Sequence, residues 1–192
     1  MASSPVINTP RLRIEPFSER FLTERYVGWL NDPKTTEFSD QRFRRHTLAS
    51  CLEYFESFRD SPNYFWAVVE IERQHGHIGN MNAYIDATHG TADIGIMIGE
   101  ASARGRGYAS EAWMGVCDFL FREAGLRKIT AGALALNLPM LGVMARAGMS
   151  EDGRRVRQQI WNGQEVDVVY RALFRDEWLK RHPRQPFEKA AV

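Results

Sequence analysis

The spacing of hydrophobic residues changes several times along this chain, and the changes mark out its elements. The strongest signal lies between about Gly107 and Ala124. There Ala109, Ala112, Trp113, Val116, Cys117, Leu120, Phe121 and Ala124 recur on one helical stripe, with Gly125 placed to cap it. Upstream, three apolar-rich runs, Tyr64–Glu70, His77–Tyr84 and Ala92–Ile98, are separated by the turn residues His75-Gly76 and Thr88-His89-Gly90. Such short spacing predicts antiparallel strands. Near the start, Leu12-Arg13-Ile14 reads as a strand. Ser18 then opens a helix through about Leu30, which Asn31-Asp32-Pro33 stops. A polar loop, 34–46, leads to a second helix from Thr47 or Leu48, with Leu52, Phe55 and Phe58 on one stripe, ended by Ser61-Pro62-Asn63. After the long helix come a strand over 127–134 and a short helix from about Pro139 to Ala147, closed by Gly148. A hairpin follows, Arg155–Trp161 and Glu165–Tyr170, around Asn162-Gly163. This order predicts one α+β domain over 1–175, with a loosely held tail, 176–192, carrying Pro183 and Pro186.

Composition narrows the class. A chain of 192 residues, 44% hydrophobic, suits one domain. With 26% charged residues and a net charge of only +1 it lacks the overall field of a nucleic-acid or membrane-surface binder. Arg154, Arg155 and Arg157 read as a solvated strand end. Met1 to Pro10 hold no apolar run, so no secretory signal is expected, and Phe65 to Val69 is far short of the ~18 residues of a membrane span. Cys51 and Cys117 fall in helical patterns and are expected in the core rather than in a disulfide. A cytoplasmic, metal-free protein is expected.

The segment that carries chemistry is Arg104-Gly105-Arg106-Gly107-Tyr108-Ala109, between a strand and the amphipathic helix. Backbone N–H groups at a helix start, the helix dipole and two flanking arginines favour an anion. Gly105 and Gly107 let a phosphate approach the backbone. The segment lacks the Lys-Ser/Thr ending of a P-loop and does not fit GxGxxG. A plain glycine turn into a helix would read the same on these residues alone.

In its wider context the segment resembles the pyrophosphate loop of the GCN5-related N-acetyltransferases, Gln/Arg-x-x-Gly-x-Gly/Ala, with Arg104, Gly107 and Ala109 at the matching positions. The preceding Ala92–Glu100 looks like that family's fourth strand, Arg127–Leu134 like its fifth, and Asn137 begins a segment ending at Gly148-Met149. The resemblance implies a mostly antiparallel seven-stranded sheet, splayed between strands four and five and flanked by about four helices. It also implies acetyl-CoA as cosubstrate and transfer of acetyl to a primary amine by direct attack. Its pantetheine arm would fill the splay, meeting backbone groups near Met97 and Ile98 that polarise the thioester carbonyl, and Asn137 would bond the pantetheine amides. Asn137 also suits a helix start beside Pro139.

The amine must shed a proton. At pH 7 an alkyl amine is neutral in only ~1 part in 2500, a cost of roughly 4–5 kcal/mol, so a base helps. Strand parity puts Ile94, Ile96 and Ile98 on one face and Asp93, Gly95, Met97 and Gly99 on the other. Asp93 on the open face is the candidate base and Glu100 the second choice; a solvated or ion-paired Asp93 at a strand start would fit equally. The common Tyr seven residues after the Asn is Met144 here, which cannot protonate a leaving thiolate. The thiolate then leaves unaided, or another group, Tyr108 among them, serves.

For the acceptor, Trp29, Glu37, Phe38, Ser39, Arg42, Arg44, Arg45, His46 and Asp167 suit a polar amine with an anionic part. Thr9-Pro10-Arg11-Leu12-Arg13-Ile14 is similar to the branch that acetylates N-termini of ribosomal proteins. Trp29-Leu30-Asn31-Asp32-Pro33 with Phe38-Ser39 and His46-Thr47 looks more like small-molecule members, including those acting on nucleotide-linked amino sugars. The amino-sugar reading is preferred. N-terminal protein acetylation and a non-catalytic acetyl-CoA-binding module are the alternatives, and a homodimer is compatible with all of them.

Overall fold

The computed structural model describes residues 4–71 and 76–183; His75 of the predicted turn and Pro186 of the tail lie outside them. Strands β1 (Ile7–Asn8), β2 (Leu12–Pro16), β3 (Tyr64–Glu70), β4 (His77–Asp86), β5 (Thr91–Ile98), β6 (Lys128–Leu134), β7 (Ser150–Trp161) and β8 (Gln164–Phe174) form one sheet. Its order is β1-β2-β3-β4-β5-β6-β8-β7, antiparallel throughout except where β5 meets β6. The mixed α/β class is as expected, with eight strands where seven were predicted. The extra strand is β1, two residues paired with Ile14 and Arg13, too short for any alternation to register.

Helices α1 (Glu24–Asn31), α2 (Leu48–Glu56), α3 (Tyr108–Arg122), α4 (Leu138–Arg146) and α5 (Arg175–Arg181) cover the sheet. The helix predicted from Ser18 starts later. Ser18 opens only a 3-10 turn and makes no side-chain cap, whereas the Thr23 hydroxyl accepts from Tyr26 N–H at 3.3 Å and caps α1. Thr47 and Ser50 form a reciprocal capping box on α2. The hairpin turns on Asn162 (φ +49°) and Gly163 (φ +79°) between the paired Trp161 and Gln164, the geometry Asn-Gly favours.

A further difference lies in the expected tail, where residues 175–181 are helical. Trp178 is 2% exposed, lies against Phe121 and donates its indole N–H to Asp118 at 2.9 Å. One buried tryptophan anchors a helix too short to show a stripe.

The two sheet faces differ as strand parity predicts. Ile94, Ile96 and Ile98 pack into the main core with Trp66, Trp113 and Leu120 beneath α3. Met97 joins the second cluster, with Phe17, Tyr26, Trp29 and Phe65 beneath α1 and α2. Cys51 and Cys117 are both buried and unpaired in these cores.

Candidate active site

Between β5 and β6 the sheet opens. The strands pair in parallel only over Thr91–Asp93 and Lys128–Thr130, and beyond that point their registers end. At the far end of β5 the N–H groups of Gly99 and Glu100 both donate to Ile78 O, at 3.0 and 3.1 Å, a β-bulge. Counting back along the antiparallel ladder, Met97, Gly95 and Asp93 pair with β4, while the backbone groups of Ile98, Ile96 and Ile94 turn into the gap. Of the two predicted backbone contacts, Ile98 therefore faces the gap and Met97 belongs to the β4 ladder. Gly99 lies against the Trp29 indole so closely that a Cβ there would collide with the ring.

The glycine loop sits at the mouth of this gap. Gly107 (φ +82°) is the N-cap of α3, a left-handed conformation that L side chains resist. The first helical bond runs from Glu111 N–H to Gly107 O at 3.1 Å, so the N–H groups of Tyr108, Ala109 and Ser110 precede it. Gly105, Arg106 and Gly107 are exposed. Beside them the Ser110 hydroxyl is buried and has no partner among the described residues. Open glycines, orphan N–H groups and an unpaired buried hydroxyl together fit a bound diphosphate. Glu111, in the same turn, is turned away from it. Burial would raise its pKa, but the Thr9 hydroxyl (2.6 Å) and the Arg11 N–H and guanidinium outweigh this and hold it low.

The two loop arginines have different surroundings. Arg104 points inward, donating from Nε to Ile98 O (3.0 Å) and from Nη2 to Gly99 O (3.0 Å) and Thr35 Oγ1 (2.6 Å). It fastens the bulge, and Arg106 is the exposed cation of the pair. Tyr108 is buried, its hydroxyl bonded to Glu70 and its ring beneath Arg11, so it faces the core rather than the gap. Ala109 packs on the same core.

Asp93 stands at the closed end of the splay. Its Oδ2 accepts from the Thr130 hydroxyl at 2.9 Å. The side chain is open at one edge, yet protein crowds its carboxylate: burial raises the pKa and the Thr130 bond partly offsets that. Glu100 differs. Arg25 and Ser102 hold it at about 2, and it caps the 3-10 turn Ala101–Ala103. An ion-paired carboxylate of that acidity is a poor base, which removes the second choice.

The sequence did not point to the polar row beside Asp93. Tyr84 lies opposite Asp93 and Asn82 opposite Gly95 in the β4 register. Asn82 Nδ2 donates to the Tyr54 hydroxyl (2.9 Å), which shares a hydrogen bond with the Tyr84 hydroxyl (2.9 Å). These groups lead along the α1/α2 face from Asp93 towards the bulge. On the other bank Asn137 caps α4, its Oδ1 accepting from Met140 N–H at 3.1 Å. Met144 is fully buried.

Residues 32–44 strap across the mouth. At one end Thr35 meets Arg104. At the other, Glu37 O accepts from Trp161 Nε1 (3.2 Å), Ile160 O accepts from Arg42 Nη2 (3.1 Å), and Phe38 stacks on Trp161 with ring centroids 6.0 Å apart. Between strap and hairpin is a cavity of about 200 Å³, lined among others by Glu37, Arg42, Arg44 and Trp161. Only the α3 loop and Asn137 of these parts carry a strong sequence signal; Ser110 could have been found as a small polar residue in the first turn of the helix, three positions after Gly107.

Residues 11–150 match the family model described as an acetyltransferase (GNAT) domain. The chain belongs to the GNAT acetyltransferase family. The chain is 35% identical over 74 residues to YnaD of Bacillus subtilis (strain 168), an uncharacterised N-acetyltransferase; the match spans 38% of this chain and 43% of that relative's length. Three solved structures share the fold. A GNAT-family acetyltransferase from Bacillus anthracis superposes with TM-score 0.76 at 21% identity, covering 90% of this chain and 99% of that one. Spermidine N-acetyltransferase from Vibrio cholerae, in complex with CoA and spermine, gives 0.78 at 18% identity, covering 89% and 99%. RimL, a ribosomal L7/L12 alpha-N-protein acetyltransferase in complex with CoA, gives 0.77 at 15%, covering 90% and 99%.

Proposed function

We propose that the chain is an N-acetyltransferase that moves acetyl from acetyl-CoA to the primary amine of a small molecule, of the kind represented by nucleotide-linked amino sugars. The observation that carries this reading is the gap between β5 and β6 with the Gly107–Ser110 helix start at its mouth. Acetyl-CoA supplies the activated acyl group. The diphosphate belongs at the N–H groups of Tyr108, Ala109 and Ser110, with Arg106 alongside. The Ile98 N–H aims into the gap, where a donor stabilises developing negative charge on the thioester oxygen. Asn137 keeps its Nδ2 donors for the pantetheine arm.

As the amine nitrogen bonds to the acyl carbon, the carbon–sulfur bond breaks and the sulfur leaves as thiolate. The proton shed by nitrogen passes to Asp93. Asp93 is about five residues back from Ile98, roughly 17 Å at ~3.4 Å per residue, so the proton travels through water beside Asn82, Tyr54 and Tyr84. With Met144 apolar and Tyr108 turned into the core, the thiolate leaves without a proton from either.

Release of CoA thiol from acetyl-CoA, followed over a panel of amines, tests the reading. The panel holds a nucleotide-linked 4-amino sugar, spermidine, free amino acids and peptides beginning with Ala or Ser. Turnover of the amino sugar supports it. Turnover of peptides alone would instead make the chain an N-terminal protein acetyltransferase. Tight acetyl-CoA binding with no turnover of any amine would make it a binding module.

A further inference from the structure

The cavity between the strap and the hairpin carries more positive than negative charge. Arg42 and Arg44 line it against one carboxylate, Glu37. Arg42 is fixed in place, its guanidinium 4.2 Å over the Phe43 ring and bonded to Ser39 O (2.8 Å) and Ile160 O. Its side chain is only 16% exposed, and its contact with Asp40 is a loose 3.8 Å. Arg44 is exposed, and its guanidinium makes no hydrogen bond or ion pair among the described residues. It also lines a second cleft, with Phe43, Arg42 and a single acid, Asp40. A guanidinium left unpaired between two clefts, beside one already held rigid, is an arrangement for an oxyanion, carboxylate or phosphate. It is a poor arrangement for a polycation, which would meet like charge on entering. A volume of about 200 Å³ has room for a phosphate or carboxylate group.

We infer that this cavity is an anion subsite for the acceptor: the amine substrate also carries a phosphate or carboxylate, which Arg44 and Arg42 bind beneath Trp161 while the amine reaches towards the gap. This rests on the acetyltransfer reading for its meaning, but its test does not depend on turnover.

The Trp161 indole N–H bonds Glu37 O on the cavity wall, so its NMR signal, assigned by loss in Trp161→Phe, reports occupancy. With CoA saturating the diphosphate loop, inorganic phosphate and acetate are titrated separately, which distinguishes the two anions. A saturable shift of that signal with either, weakened at least tenfold in Arg44→Ala while CoA affinity stays within twofold, is expected. No saturable shift, or one unchanged in Arg44→Ala, overturns the inference. In the amine assay, 2-aminoethyl phosphate should exceed ethanolamine in kcat/KM by tenfold or more, and Arg44→Ala should erase that preference. Equal rates on the two, or spermidine as the best acceptor, overturns it. An enzyme silent on every amine but showing the Arg44-dependent shift would sink the acetyltransfer reading and leave the anion site standing.

Discussion

The Arg104 guanidinium donates to the Thr35 hydroxyl at 2.6 Å, and through this bond the strap over the gap is tied to the strand that faces it. Arg104 keeps two carbonyl partners on the bulge without Thr35, so removing the hydroxyl frees the strap and spares the strand. Thr35→Val should therefore raise KM for the amine about three- to tenfold and leave acetyl-CoA affinity within twofold. Steady-state kinetics beside calorimetric acetyl-CoA titration reads both; an equal loss in the two would show that the strap does not act on the acceptor alone.

Arg104→Lys changes the other end. A lysine is a point charge and cannot reach three oxygens as the planar fork does. Ile98 and Gly99 would lose their clamp, and acetyl-CoA affinity should fall roughly tenfold. Ser110→Ala removes a buried hydroxyl with no partner among the described residues, so it should cost the apo protein almost no stability yet weaken acetyl-CoA by about 1 kcal/mol, the size of one hydrogen bond. Calorimetric titration and thermal melts with and without acetyl-CoA separate the two effects. A Ser110→Ala protein that melts lower when empty would mean the hydroxyl serves the fold.

How much of this was legible follows from where each signal resides. The α3 stripe and the glycine loop are local patterns, and both fall where the spacing puts them. The β5 parity held because Ile94, Ile96 and Ile98 meet one core and Met97 the other. What local pattern does not carry is a partner far along the chain. Arg104 reads as a phosphate ligand until Thr35, 69 residues away, is seen to accept from it. Glu100 reads as a base until Arg25 arrives beside it. Trp178 reads as part of a tail until Asp118 and Phe121 enclose it.

Asp93 and Thr130 make a prediction with a sign. A base works only when deprotonated, so activity falls as pH drops through its pKa. Burial raises that pKa and the Thr130 hydroxyl lowers it. Thr130→Val should therefore push the pKa higher and move the acid limb of the kcat/KM profile to higher pH. Asp93→Asn should remove that limb and lower the rate by about 10²-fold, within the usual range for a general base. An acid limb that stays in place in both variants would clear Asp93 of the role.

His77 sets a pH dependence of stability apart from activity. Its ring is enclosed by Phe21 and Trp29, with Nε2 2.8 Å from Asn80 Oδ1. Burial pushes its pKa down to about 4, against the smaller opposing effect of the Asn80 bond. The folded chain thus refuses a proton that the unfolded chain accepts near pH 6.5, and the stability this confers is complete above that pH and lost as pH falls from 6.5 to 4. Between pH 6.5 and 5 the loss should be about 2 kcal/mol, at ~1.4 kcal/mol per unit. The carboxylates held low, Glu100, Asp32 and Asp167, contribute below roughly pH 4.5, outside this window. Urea unfolding at pH 7, 6 and 5 reads the slope directly. His77→Phe keeps the aromatic cluster but cannot titrate; it should be less stable at pH 7, having abandoned Asn80, and nearly flat from 6.5 to 5. A variant that keeps the wild-type slope would place the titrating group elsewhere.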